Sequence, residues 1–368
     1  MRAIYWLAIS TLGLCGELPA QAAAFSADVY RQPQQRWPEA VIHKEAGPVS
    51  ELAPLPELPP AIWHTEATET LGRQLFFDPR LSGSGQIACA SCHDPDLGWA
   101  DGRRFAFGHN RQAGNRNSMS ILNAAWFDQL FWDGRANGLL AQALQPITNP
   151  IEMNAELEQV LAKLNRIPGY RTSFAEAFGP GPIDADQLAK ALAAFERRIV
   201  SRPNRLDRFI SGQYNALDDR EIFGLHLYRT KAGCLNCHSG ALYSDRRFHH
   251  TGLSYYGRQY QDSGREQATG RAEDRGKFRT PSLRDLAYTS PWMHNGFFPN
   301  LRGILNMYNA GMIGNSQLHP ELPPLSPLIQ PLQLTPSELE ALEAFLHTLS
   351  QSPIVVRSPI LPKSPPKN

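Results

Sequence analysis

Two five-residue segments constrain this chain more than any other feature: Cys89-Ala90-Ser91-Cys92-His93 and Cys234-Leu235-Asn236-Cys237-His238. Each sets two thiols three positions apart, with a histidine directly behind the second. That spacing lets both sulfurs form thioethers to the vinyl groups of one haem while the histidine reaches the iron from the proximal side. A disulfide framework has no use for the histidines, and a zinc site that takes a CxxC pair does not use an adjacent histidine. The chain has five cysteines. The fifth, Cys15, falls in an N-terminal leader, so the two motifs account for all the rest. Two covalently held c-type haems are expected, each supplying a large apolar surface for side chains to pack around.

The leader fits an exported protein. Arg2 provides a short positive region, an apolar run follows from Ile4 to Leu14, and small residues before and after Gln21 offer cleavage after Ala22 or Ala24. A membrane anchor is the alternative, but the run is short for a span. A lipoprotein reading at Cys15 meets bulky Leu14 where a small residue is expected. The expected location is the periplasm, with no membrane span in the mature chain. The formal net charge is +1 and no long basic run occurs, so a nucleic-acid partner is excluded.

Length and pattern divide the 368 residues into a leader over 1–24, a Pro-rich extended arm over 25–65, a first haem domain over 66–218, a second over 219–350, and a loose Pro- and Ser-rich tail over 351–368. The fold class is mainly α. Helical periodicity marks segments 68–76, 139–144, 155–164, 184–200, 205–210, 217–230, 301–308 and 337–349. Segment 184–200 is the clearest, with Leu188, Leu192, Phe195 and Ile199 recurring behind an Asp184 cap. Thr335 or Ser337 would cap the last helix. Strand patterns are nearly absent, and outside the two motifs the halves look dissimilar.

Longer motifs add a resemblance. They are LGRQLFFDPRL from Leu71 to Leu81, GNRN from Gly114 to Asn117, FWDGR from Phe131 to Arg135, and QALQP from Gln142 to Pro146. NPIEM from Asn149 to Met153, FRTPSLR from Phe278 to Arg284 and PWMHNG from Pro291 to Gly296 complete the set. Over about residues 65 to 350 the chain resembles the bacterial di-haem cytochrome c peroxidases and their relative MauG. The resemblance implies two cytochrome c-like domains facing each other. The haem on His93 would meet hydrogen peroxide, and the haem on His238 would accept and pass electrons. Trp132 would lie between them. Gln142, Pro146 and Glu152 would form the distal pocket, where a carboxylate can move a proton between peroxide oxygens. Asn117, with the backbone carbonyls of Thr289 and Pro291, would hold a calcium ion between the domains. Read alone, Glu152 is equally a cap or surface acid and Trp132 a core residue. Relatives of the peroxidase type commonly dimerise and MauG does not need to, so monomer and homodimer both stand.

Two positions depart from the peroxidases. Their second haem takes a distal methionine, whereas MauG has a tyrosine. Fourteen residues after His294 the matching position is Tyr308, with Met307 beside it. Neighbours on a helix point about 100 degrees apart, so only one can reach the iron. A thioether raises the potential, while a hard phenolate favours oxidised iron. Sixteen residues after His93 stands His109, where the peroxidases carry a histidine that caps the first haem and MauG does not. His109 is either that cap or an exposed loop residue. Tyr308 tilts the expectation toward a MauG-like enzyme that uses peroxide to oxidise a side chain of a periplasmic partner protein at long range. The alternatives are a peroxidase fed by a small cytochrome c or copper protein, and an electron carrier without turnover. Glu152 and Gln142 argue against the last.

Overall fold

The computed structural model describes residues 25–312 and 319–364. The leader and Cys15 lie outside the described residues, as do the last four residues of the tail. The fold is mainly helical: α1 Glu66–Phe76, α2 Gly138–Gln142, α3 Gln145–Thr148, α4 Leu157–Arg166, α5 Pro168–Phe178, α6 Ala185–Glu196, α7 Arg205–Ile210, α8 Asp219–Arg229, α9 Glu266–Thr269, α10 Leu301–Asn309 and α11 Pro336–Thr348. One small antiparallel pair joins β1 Phe248–His250 to β2 Lys277–Arg279, with His249 opposite Phe278. It escaped the sequence reading because three-residue strands are too short to show alternation.

Helix ends follow local chemistry. Thr65 starts α1 by accepting from the Thr68 amide, and Asp184 starts α6 by accepting from Gln187. Thr335, not Ser337, caps α11. The single helix expected over 139–144 is instead α2 followed by α3, because Pro146 has no N–H to donate and sits in the first turn of a new helix. Helix α5 was not anticipated. Its signals are Pro168 at the first position and an apolar stripe at Tyr170, Phe174 and Phe178.

The core separates into two large apolar clusters. The first collects side chains between Leu71 and Ile199 from α1, α4, α5 and α6. The second collects Tyr30, Trp37 and Leu52 with side chains between Leu206 and Leu349. The two share a device hidden in sequence. In each, the helix leading into a CxxCH motif crosses the last helix of its cluster at a glycine. A Cβ on Gly72 of α1 would stand 1.8 Å from the Ala191 carbonyl oxygen of α6. A Cβ on Gly224 of α8 would stand 2.1 Å from the Ala341 carbonyl oxygen of α11. Only glycine permits backbones to approach so closely.

Buried ion pairs fix the loops. Asp78, from the FDPR motif, accepts from Tyr170 at 2.5 Å and pairs with Arg80 at 2.6 Å. Arg116 links Asp133 at 2.5 Å to Asp262 at 2.6 Å, tying early and late chain together. Asp207 of α7 pairs with Arg284 at 2.9 Å, both buried, which draws α7 into the second cluster. The arm is more than a surface strand. Tyr30 and Trp37 are buried in the second cluster, where Arg229 hydrogen-bonds to Tyr30 at 2.9 Å and pairs with Glu51. The tail also differs from the expected loose segment. The carbonyls of Ser352, Arg357 and Pro362 accept from Arg202, Arg73 and Arg80, and Val356 packs against the first cluster.

Candidate haem centres and the pocket between them

Both CxxCH segments form one tight turn. The Cys92 and His93 amides donate to the Cys89 carbonyl at 3.1 and 3.0 Å, and the Cys237 and His238 amides to the Cys234 carbonyl at 3.2 and 2.8 Å. None of these four cysteines is in a disulfide. The Nδ1 of His93 lies 3.1 Å from the Trp99 carbonyl, and that of His238 lies 3.0 Å from the Tyr243 carbonyl. A carbonyl only accepts, so each Nδ1 carries the proton and each Nε2 keeps its lone pair for a metal. Burial pushes both imidazoles below the ordinary histidine pKa, which favours this neutral ligand form.

Both motifs line one continuous cavity of about 720 Å³. Gln142, Pro146 and Glu152 line it together with His93, and Tyr308 lines it together with His238. The Glu152 carboxylate accepts from the Asn149 side chain at 2.8 Å. Burial raises its pKa, while Arg135 and the Asn149 contact oppose the rise. Trp132 is buried on the cavity wall, donates to the Asn117 carbonyl at 3.0 Å, and stands edge-on to the His294 ring at 6.3 Å. His294 in turn stacks on Phe278 at 3.5 Å.

The cavity also fits haem on grounds that the sequence reading missed. Arg279 is fully buried, and burial alone lowers its pKa to about 10. Among the described residues it has no carboxylate partner and its Nη1 is unbonded, and it faces the cavity. A buried guanidinium in this state calls for an anion, and each haem brings two propionates. His249 is a second missed residue. It lines the cavity and pairs with Asp245 at 2.7 Å beside Cys237. Glu196 is a third, and lines the cavity near Cys89. Its signal was present in sequence: it extends the Leu188–Leu192 stripe of α6 by four residues, an acid at an apolar position.

His109 and Met307, the alternative to Tyr308, stand elsewhere. His109 does not line the cavity. Its ring is half-buried with an unbonded Nδ1, and its amide donates to the Glu152 carbonyl at 2.8 Å. Met307 also lies off the cavity, whereas Tyr308 faces it, and burial with the nearby Cys237 and Cys234 raises the tyrosine pKa. Asn117, Thr289 and Pro291 all line the cavity. Asn117 donates to the Arg103 carbonyl at 2.8 Å, so its amide oxygen is directed away from that bond. These three offer neutral oxygens without a carboxylate, a set that suits Ca²⁺ only with water or other oxygens completing the shell.

Two histidines with free Nε2 atoms, two paired thiols beside each and a shared cavity define a di-haem c-type oxidoreductase. The comparisons agree. Residues 66–215 match the family model for di-haem cytochrome c peroxidase. MauG, the methylamine utilization protein of Methylorubrum extorquens, is 37% identical over 334 residues, covering 89% of this chain and 86% of the relative. Cytochrome-c peroxidase IdrP1 of a Pseudomonas species is 35% identical over 344 residues, covering 84% and 89%. A crystal structure of a MauG-like protein associated with microbial copper homeostasis superposes with a TM-score of 0.71 at 30% identity, covering 84% of this chain and 96% of that one. The chain belongs to the bacterial di-haem cytochrome c peroxidase and MauG family, and is an enzyme of hydrogen peroxide chemistry. Most of the named relatives are peroxidases. Among the described residues no helix is long and apolar enough to cross a membrane.

Proposed function

We propose that the enzyme reduces hydrogen peroxide to water at the His93 centre, using electrons that enter through the His238 centre from a small periplasmic donor, a cytochrome c or copper protein. This replaces protein oxidation, the expectation built on Tyr308, as the leading reading, because the peroxidases predominate among the relatives. The observation that carries it is the half-buried Glu152 carboxyl in the same cavity as His93, with Gln142 and Pro146 on the same wall.

When bound, the haem irons supply the redox chemistry; the residues supply position and protons. Glu152 would take a proton from one peroxide oxygen and return it to the other as the bond between them breaks. Asn149 holds the carboxylate in that posture through the 2.8 Å bond. The Gln142 amide orients peroxide without adding charge, and Pro146, having no N–H, leaves no competing donor there. Trp132 closes the wall between the centres, fixed through its N–H. Asn117, Thr289 and Pro291 would hold Ca²⁺ at the seam, with two of the three ligands being carbonyls. Export through the N-terminal leader would deliver the chain to the compartment where the donors are found.

A second reading is favoured by one observation. Tyr308 faces the cavity near Cys234 and Cys237, and Met307 does not. A phenolate ligand there would suit an enzyme that oxidises a side chain of a partner protein. One assay separates the two. Reduced small cytochrome c or copper protein is mixed with enzyme and peroxide, and its oxidation is followed; rapid peroxide-dependent oxidation is expected. Absence of donor oxidation, with added oxygen or a crosslink in periplasmic proteins by mass spectrometry, would reverse the order.

A further inference from the structure

Glu196 has no role in the chemistry above, yet it is a buried acid at the cavity wall. It ends α6, is 7% exposed, and lines the cavity. Its carboxyl has no hydrogen-bond or ion-pair partner among the described residues. Burial alone pushes its pKa up to about 8.

The packed elements leave it unopposed. On α1, Glu69 contacts His64 and Arg198, and Arg73 donates to the Arg357 carbonyl. Helix α2 carries no charge. On its own side of the chain Arg197 donates to the Pro59 carbonyl. The titratable group that feels Glu196 is Cys89, whose thiol is spent on haem attachment; Glu152 also acts on Cys89. The carboxyl therefore opens toward the first haem centre with no cation to hold it ionised.

We propose that Glu196 is the proton-binding group coupled to the redox state of the first haem centre. When that iron takes one electron from a one-electron donor, the Glu196 carboxylate takes one proton from solvent, and loses it again on reoxidation. The physical cause is charge in a poorly solvated space. Oxidised iron carries one more positive charge and favours the carboxylate; reduced iron removes that charge, and an unpaired buried carboxylate then binds a proton. Glu196 thus positions charge, and does not touch peroxide. The inference holds whichever protein partner the enzyme uses.

The test is a spectroelectrochemical titration of the first haem in the intact di-haem protein between about pH 6 and 9. Coupled uptake of one proton per electron changes the equilibrium tenfold per pH unit, which is about 59 mV per unit. The wild type is expected to approach that slope over part of the range, Glu196→Asp to retain it, and Glu196→Gln to lose it while keeping its visible spectrum. A Glu196→Gln protein with the wild-type slope overturns the proposal. If that variant fails to mature, reduced-minus-oxidised infrared spectra of Glu152→Gln decide: a protonated-carboxyl band that grows on reduction and shifts in heavy water is expected, and its absence overturns it.

Discussion

Replacing Glu152 with Gln removes one function and little else. The side chain keeps its length, and its amide oxygen can still accept from Asn149 as the carboxylate does at 2.8 Å. What is lost is the ability to take and return a proton. Positioned acid–base groups contribute about 10²- to 10⁴-fold, equivalent to roughly 2.7–5.4 kcal/mol of barrier at 1.36 kcal/mol per decade. Glu152→Gln should therefore slow the reaction of peroxide with the reduced enzyme by two to four orders of magnitude, with an unchanged first-haem spectrum at rest. The pH profile sharpens the test. Burial raises the Glu152 pKa, so the group stays protonated to a higher pH than an ordinary carboxylate. The wild-type rate should fall on the acid side at a pH above that ordinary range, and the variant should lose this limb. The assay is stopped-flow mixing of peroxide with reduced enzyme across pH. A variant rate within about threefold of wild type would refute the proton-transfer role.

Tyr308→Phe should change the spectrum of the second haem and Met307→Leu should not, because only Tyr308 faces the cavity; the reverse outcome in visible or magnetic resonance spectra would transfer the ligand to Met307. Gly72→Ala forces a Cβ to 1.8 Å from the Ala191 oxygen, and overpacking of this kind costs about 1–3 kcal/mol, visible as a lower denaturation midpoint with both haems attached. Glu196 gives a stability prediction with a definite sign. Folding raises its pKa from 4.5 to about 8, so the native state holds the proton more tightly, and the contribution of this group to stability is fully present below 4.5 and is lost as pH rises toward 8. Glu196→Gln should flatten the alkaline decline in melting temperature, whereas an unchanged decline would place its cause elsewhere.

The parts of this protein that sequence revealed best are those with a fixed chemical spacing. CxxCH needs its five positions in order, so both haem centres were visible at once. Helix α6 declared itself through Leu188, Leu192, Phe195 and an Asp184 cap. Contacts between distant segments were not visible, because no periodicity records them. Gly72 and Gly224 stand at helix crossings that no side-chain pattern marks. Arg279 and Asp207 are buried, the second against Arg284, and a charged residue carries no burial signal of its own in sequence. Proline content suggests an extended surface arm and a loose tail. Tyr30, Trp37 and a row of arginine-bound carbonyls hold them to the body instead. Glu152, Gln142 and Trp132 gained meaning only from the longer motifs around them, since a lone acid or tryptophan has a simpler role available.

The central claim is that peroxide is reduced to water with electrons from a donor and that no protein side chain is consumed. It is tested most directly by counting. Enzyme with both haems reduced is mixed with one equivalent of hydrogen peroxide, and the two haem spectra and the intact mass are read together. Full reduction to water takes two electrons, so both haems should become oxidised, the mass should stay unchanged, and reduced donor should restore the starting state. Incomplete haem oxidation accompanied by added oxygen or a crosslink in protein would contradict the account and return the enzyme to side-chain oxidation.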